Sequence, residues 1–126
     1  FNIGRAVCER HLPDTLAMIV ENADGSVRNW TFGQLLAASS RLANALTARG
    51  VSKGDRIGVF LSQGAELTIC HLAGYRMGAI VLPLFTLFGE EAIEYRLADA
   101  EASAVVTDMG QLPKLLAVRD RLPHLK

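Results

Sequence analysis

Arg56-Ile57-Gly58-Val59-Phe60-Leu61-Ser62 is an unbroken apolar run that turn chemistry bounds on its N-terminal side, in Lys53-Gly54-Asp55. A strand with one wet face would alternate apolar and polar residues. A run without alternation fits a strand covered on both faces, the habit of parallel sheets. Two further stretches resemble it, Ala79–Leu84 and Ser103–Asp108 (SAVVTD). Between them lie segments with helical spacing, Ala65–Met77, where Gly74 and Gly78 would stack on one face and let a neighbour approach closely, and Glu90–Ala100, where Ile93, Leu97 and Ala100 would face inward. A third, Leu112–Arg121, follows the last strand and is broken by Pro123. The order strand, helix, strand, helix, strand, helix predicts an α/β fold: a parallel sheet of βαβ units with right-handed crossovers and helices packed on it.

Upstream, the strongest helix signal is Thr31-Phe32-Gly33-Gln34. A hydroxyl at the cap and an amide three residues on make a capping box. Phe32, Leu35, Leu36, Ser39, Leu42, Ala43 and Leu46 then form one stripe, and Gly50 suits the C′ position, so a helix is expected over about Phe32–Arg49. Before it, Ala17–Glu21 and Val27–Thr31 flank Asn22-Ala23-Asp24-Gly25 and read as a β-hairpin. Phe1–Pro13, with Ile3, Val7 and His11 at helical spacing, reads as a short amphipathic helix stopped by Pro13. The expected organisation is a single unit, residues 1–126, with a helix and hairpin over 1–31 and an α/β core over 32–126.

Composition bounds the function. The 126 residues are 50% apolar and 21% charged, values of a globular chain. Thirteen basic and thirteen acidic residues give a formal net charge of zero, so there is no global attraction to nucleic acid. The longest apolar stretch, Ala79–Phe85, contains Pro83 and is too short to cross a bilayer. Cys8 and Cys70 form no CxxC pair, and no export signal opens the chain, which points to two free thiols and a cytoplasmic protein, with a single disulfide in an exported protein as the alternative.

Chemical signals are sparse. The loop Leu61-Ser62-Gln63-Gly64-Ala65 joins a parallel strand to a helix, where free amides can hold an anion, but it has one glycine where a dinucleotide fingerprint needs three. Glu90-Glu91 sit at a helix start, where negative charge suits the dipole. His11, His71 and His124 lack metal-ligand spacing, and His71 cannot converge with its neighbour Cys70. Asp108 ends the third strand, where α/β folds often place functional carboxylates, although a solvated carboxylate is the commoner case there. From the residues alone, a stand-alone interaction module, a receiver-like module and a small nucleotide-binding protein using Ser62–Ala65 all stay open, although the acidic cluster of a receiver is missing.

Several stretches together resemble the N-terminal region of the acyl-adenylate-forming enzymes, the AMP-dependent synthetase and ligase family. Trp30-Thr31-Phe32-Gly33-Gln34-Leu35 with Arg41-Leu42-Ala43, Leu46 and Gly50-Val51 is similar to the family's capped helix. Lys53-Gly54-Asp55-Arg56-Ile57 is similar to its turn and strand. Ala73-Gly74-Tyr75-Arg76-Met77-Gly78-Ala79, with Val81, Pro83 and Leu84, resembles a third motif. Glu94, Leu97, Asp99, Ala100, Ala104, Val105, Val106 and Asp108 resemble a fourth. The resemblance implies part of a larger ligase N-terminal domain. It implies activation of a carboxylic acid by ATP with Mg²⁺, giving an acyl-adenylate, and transfer of the acyl group to coenzyme A.

The family's phosphate loop ending in Pro-Lys-Gly, its metal-binding Glu, its ribose-binding Asp and its C-terminal Lys have no counterpart here. No catalytic, cofactor-binding or metal-ligating residue is therefore assigned, and neither ATP, Mg²⁺ nor CoA is expected to be held by this region alone. In some acetate-activating members, arginines after the strand matching Ser103–Asp108 contact the CoA nucleotide; Met109–Lys114 offers only Lys114, so that contact is not expected in the same form. Because the chain opens on Phe1 rather than Met, an excised piece of a ligase is expected, inactive by itself and self-associating through uncovered apolar surface.

Overall fold

A computed structural model describes all residues, 1–126. Helix α1 (Ile3–Cys8) precedes a hairpin of β1 (Leu16–Glu21) and β2 (Val27–Thr31). Then come α2 (Phe32–Ala48), β3 (Arg56–Phe60), α3 (Ala65–Met77), β4 (Ile80–Pro83), α4 (Glu90–Asp99), β5 (Ala104–Thr107) and α5 (Leu112–Val118). A 3₁₀ turn, Arg119–Arg121, follows α5. The hairpin is antiparallel, and β4, β3 and β5 form a parallel sheet in that order.

The order follows from how the side chains of β3 divide. Ile57, Val59 and Leu61 point to one face, where Leu42 and Leu46 of α2 and Leu67 and Cys70 of α3 cover them. Phe60 points to the other, in the cluster with Ile93 and Leu97 of α4 and Leu115 and Val118 of α5. Gly58 lies on that second face too: a Cβ there would stand 2.8 Å from Leu97 Cδ2. The α3 crossover runs from β3 to β4 on one face, and the α4 crossover returns past β3 to β5 on the other. A third cluster joins Trp30 of the hairpin to Cys8, Leu35, Ala65 and Leu72.

Local sequence explains the boundaries. Thr31 Oγ1 accepts from the Gln34 amide at 3.2 Å and Gln34 Oε1 accepts from the Thr31 amide at 2.9 Å, so the expected capping box is present. Thr15 and Pro13 carbonyls accept from the Phe32 and Gly33 amides, so the start of α2 leaves little for an outside anion. Gly50 has φ 84° and ends α2 as its spacing predicts.

Four expectations need correction. The first helix stops at Cys8, not Pro13, because His11 leaves the helical stripe to stack on Phe32, ring centroids 4.0 Å apart. Neither Ala79–Leu84 nor Ser103–Asp108 is buried on both faces: β4 and β5 are the two edge strands, Ile80 is 57% exposed, and Ala104–Thr107 are only half-buried. Gly74 and Gly78 do not act together. Gly74 meets Val81, whereas Gly78 is the left-handed C-cap of α3 with φ 72°. The last helix tightens to 3₁₀ geometry at Arg119 rather than running as α-helix to Arg121.

Candidate functional site: the carboxyl end of the sheet

In open α/β sheets the place for a ligand is beyond the carboxyl ends of strands whose connections leave to opposite faces. Here that is the space between the β3–α3 loop and the β4–α4 loop. A cleft of about 410 Å³ opens there, floored by Leu61, Leu67 and Leu84 and walled by Pro83, Phe85 and Phe88, with Gln63, His71 and Arg96 as polar margin. Phe85 and Phe88 meet edge to face, centroids 5.9 Å apart, and the Arg96 guanidinium lies 4.2 Å from the Phe88 centroid. His71 Nδ1 is 3.1 Å from Tyr75 Oη, and partial burial lowers the His71 pKa, so the neutral ring is favoured. His71 and Cys70 do not converge: Cys70 points into the core.

The loops around this cleft are tied together by two charged side chains. Asp108, at the end of β5, reaches back across the sheet. Its Oδ2 accepts from the Ser62 amide at 3.3 Å, with Ser62 Oγ at 3.5 Å, and its Oδ1 accepts from the Gln111 amide at 2.9 Å. The backbone bonds from Gln111 and Ser62 hold the Asp108 carboxyl below its ordinary value. Lys114, on α5, donates to the Thr86 carbonyl in the β4–α4 loop at 2.8 Å and lies 5.9 Å from the Phe60 centroid. Asp108 thus joins the first and third loops, and Lys114 ties the first turn of α5 to the second. Neither pairing has a local sequence signal, since the partners lie 46 and 28 residues apart.

This geometry argues against an anion at Ser62–Ala65. The Ser62 amide already serves a carboxylate, and Glu66 adds a second negative charge in the first turn of α3. Nor do three His, Cys, Asp or Glu side chains gather anywhere as a metal site. Glu90 and Glu91 stand in the first turn of α4 behind a Gly89 cap, with no side-chain capping bond. The Ser62–Ala65 turn therefore does not fit a phosphate of ATP. For the CoA nucleotide, Lys114 is committed to Thr86.

The model of the family described as AMP-binding enzyme matches residues 5–126. The chain belongs to that family. An acetyl-coenzyme A synthetase of Pasteurella multocida is 37% identical over 109 residues, 84% of this chain and 17% of the relative. An acyl-CoA synthetase of Brucella canis superposes with TM-score 0.90 at 32% identity, over 99% of this chain and 22% of that one. An inhibitor-bound N-terminal domain of FACL13 from Mycobacterium tuberculosis gives TM-score 0.88 at 25% identity, over 99% and 32%. This AMP-binding family member therefore spans between about a sixth and a third of the length of these relatives, and its fold is that of their N-terminal region. No helix is long and apolar enough to cross a membrane.

Proposed function

We propose that residues 1–126 are a single scaffold subdomain, helix and hairpin over 1–31 and α/β core over 32–126, of a cytoplasmic acid–CoA ligase. The whole enzyme would activate a carboxylic acid with ATP and Mg²⁺, releasing pyrophosphate, and pass the acyl group from the adenylate to CoA. This region would carry no catalytic residue of its own. Its part is to hold the loops at the carboxyl end of the sheet in place. The observation that carries the reading is the family match over residues 5–126 in the setting of a doubly wound sheet with its N-terminal hairpin. By itself the region would bind no nucleotide and would self-associate through apolar side chains such as Phe85, Leu87 and Met109, which are 58%, 80% and 81% exposed.

The test is to read the gene beyond the Lys126 codon and express the full frame. A Ser/Thr/Gly-rich loop ending in Pro-Lys-Gly, with acid-dependent pyrophosphate release and CoA-dependent AMP release, is the expected result. A full-length product that activates no carboxylic acid overturns the reading. The rival, a free-standing nucleotide-binding module, is disfavoured by the Asp108 carboxylate on the Ser62 amide; saturable ATP binding by residues 1–126 alone would restore it. Light scattering of that chain checks self-association, and a monomer at high concentration counts against it.

A further inference from the structure

Asp24 is the only aspartate in the sequence that a glycine follows, and the pair sits at the tip of the β1–β2 hairpin, where Ala23, Asp24 and Gly25 are exposed. Such a pair is chemically labile. The Gly25 nitrogen can attack Cγ of the neutral Asp24 carboxyl. A C–N bond forms, the C–OH bond breaks, and water leaves with the amide proton as a succinimide closes. Water then adds to the ring. Opening at the former main-chain carbonyl leaves the chain running through Cβ and Cγ, an isoaspartate. One water leaves and one enters, so nothing but solvent is consumed. Glycine hinders this attack least: Gly25 has φ 79°, and a Cβ built on it would meet nothing within 4 Å.

We propose that Asp24–Gly25 is a site of self-modification to isoaspartate, and that Asn22 and Ser26 slow it by engaging both reacting groups. Oδ1 of Asp24 accepts from the Ser26 amide at 2.9 Å and from the Ser26 hydroxyl at 2.6 Å. Nδ2 of Asn22 donates to that hydroxyl at 2.9 Å and so orients it toward the carboxylate. These bonds favour the charged form and hold the carboxyl below its ordinary value, the Ser26 hydroxyl foremost. A carboxylate has no hydroxyl to lose, so the ring does not close while the group stays ionised. The attacking nitrogen is engaged as well, because the Gly25 amide donates to the Asn22 carbonyl at 2.9 Å. The product would not fit the present tip. An isoaspartate adds one backbone atom between Asn22 and Ser26, whose own amide–carbonyl bond closes the loop beside the Glu21–Val27 pair.

The proposal stands apart from the ligase reading, and its test needs no activity. The full-length protein is aged at neutral pH beside a synthetic peptide of residues 11–28, the tryptic fragment that holds the site. Isoaspartyl methyltransferase counts the product, and electron-transfer fragmentation locates it. Asp14, in the same fragment but followed by the branched Thr15, is the internal control. Expected is product at Asp24 and none at Asp14, formed several-fold more slowly in the folded protein than in the peptide. Ser26→Ala should raise the rate about fivefold in the protein, the scale of one net hydrogen bond, and leave the peptide unchanged. Asp24→Glu, which would have to close a larger ring, should lose the signal. A folded protein that reacts as fast as the peptide would overturn the proposal. So would a Ser26→Ala protein that ages like wild type, or a peptide that forms no isoaspartate at Asp24.

Discussion

Asn2 caps two helices with one side chain, and its partner in the second is Tyr75. Its Oδ1 accepts from the Arg5 amide at 3.0 Å, closing the start of α1. Its Nδ2 donates to the Tyr75 carbonyl at 3.0 Å and the Arg76 carbonyl at 3.2 Å, closing the end of α3. Asn2→Asp separates the two roles. The carboxylate keeps the first cap but points an acceptor at two carbonyls, so a loss of about 1–2 kcal/mol is expected, close to that of Asn2→Ala. Urea unfolding checks it; an Asp variant as stable as wild type would mean that the α3 contact contributes nothing.

Gly74 is where α3 comes closest to β4. A Cβ there would run into Cγ2 of Val81. Gly74→Ala gains up to about 1 kcal/mol of helix propensity and meets an overpacking cost of about 1–3 kcal/mol, so a net loss is expected. Val81 sits on an edge strand and is only half-buried, which keeps the cost at the low end. In the Gly74→Ala, Val81→Ala cycle the double variant should be at least about 0.5 kcal/mol more stable than the sum of the single effects. Additive effects would rule out the clash.

What was legible in the sequence was what short-range chemistry specifies. The Thr31–Gln34 box, the positive-φ turns at Gly25 and Gly50 and the unbroken run of β3 each lie within one element and came out as read. Position within the sheet was not legible. The apolar runs of β3 and β4 look alike, yet only β3 is central, because the α4 crossover carries β5 to the far side. The site fared worse for the same reason. Asp108 stood out by its place at a strand end, but its partner Ser62 and the Thr86 partner of Lys114 come from distant segments that only the topology brings together, and Asn2 gains its second helix only when α1 docks on α3.

The two thiols should be inert in the folded chain. Cys8 and Cys70 are 2% and 5% exposed. Burial pushes the Cys70 thiol up to about 11, helped by the charge of Glu66, and burial raises Cys8 despite the opposing field of Arg76. At pH 8 about a thousandth of Cys70 would be thiolate. A disulfide-exchange reagent should therefore label neither cysteine until the protein opens, with rates tracking denaturant. Rapid native-state labelling of either would contradict the packing of Cys8 against Trp30 and Leu35 or of Cys70 behind Val59.

Asp108 should leave a mark on acid stability. Its folded pKa lies below the ordinary 3.8, held there by the Gln111 and Ser62 amides. A depressed folded pKa means that the carboxylate's contribution is whole above the unfolded value and is lost as pH falls through the folded one. The affected window is thus below about pH 4. Asp108→Asn should lower Tm at pH 7 and show a shallower fall on acidification, so that the two curves converge once the pH has fallen below the depressed folded pKa. Asp55 is depressed as well, chiefly by the Ser52 amide, so part of the acid slope must survive in the variant. If the Tm difference between variant and wild type were the same at pH 7 and at the lowest pH the fold survives, the bond between Asp108 and the Ser62 loop would not depend on charge.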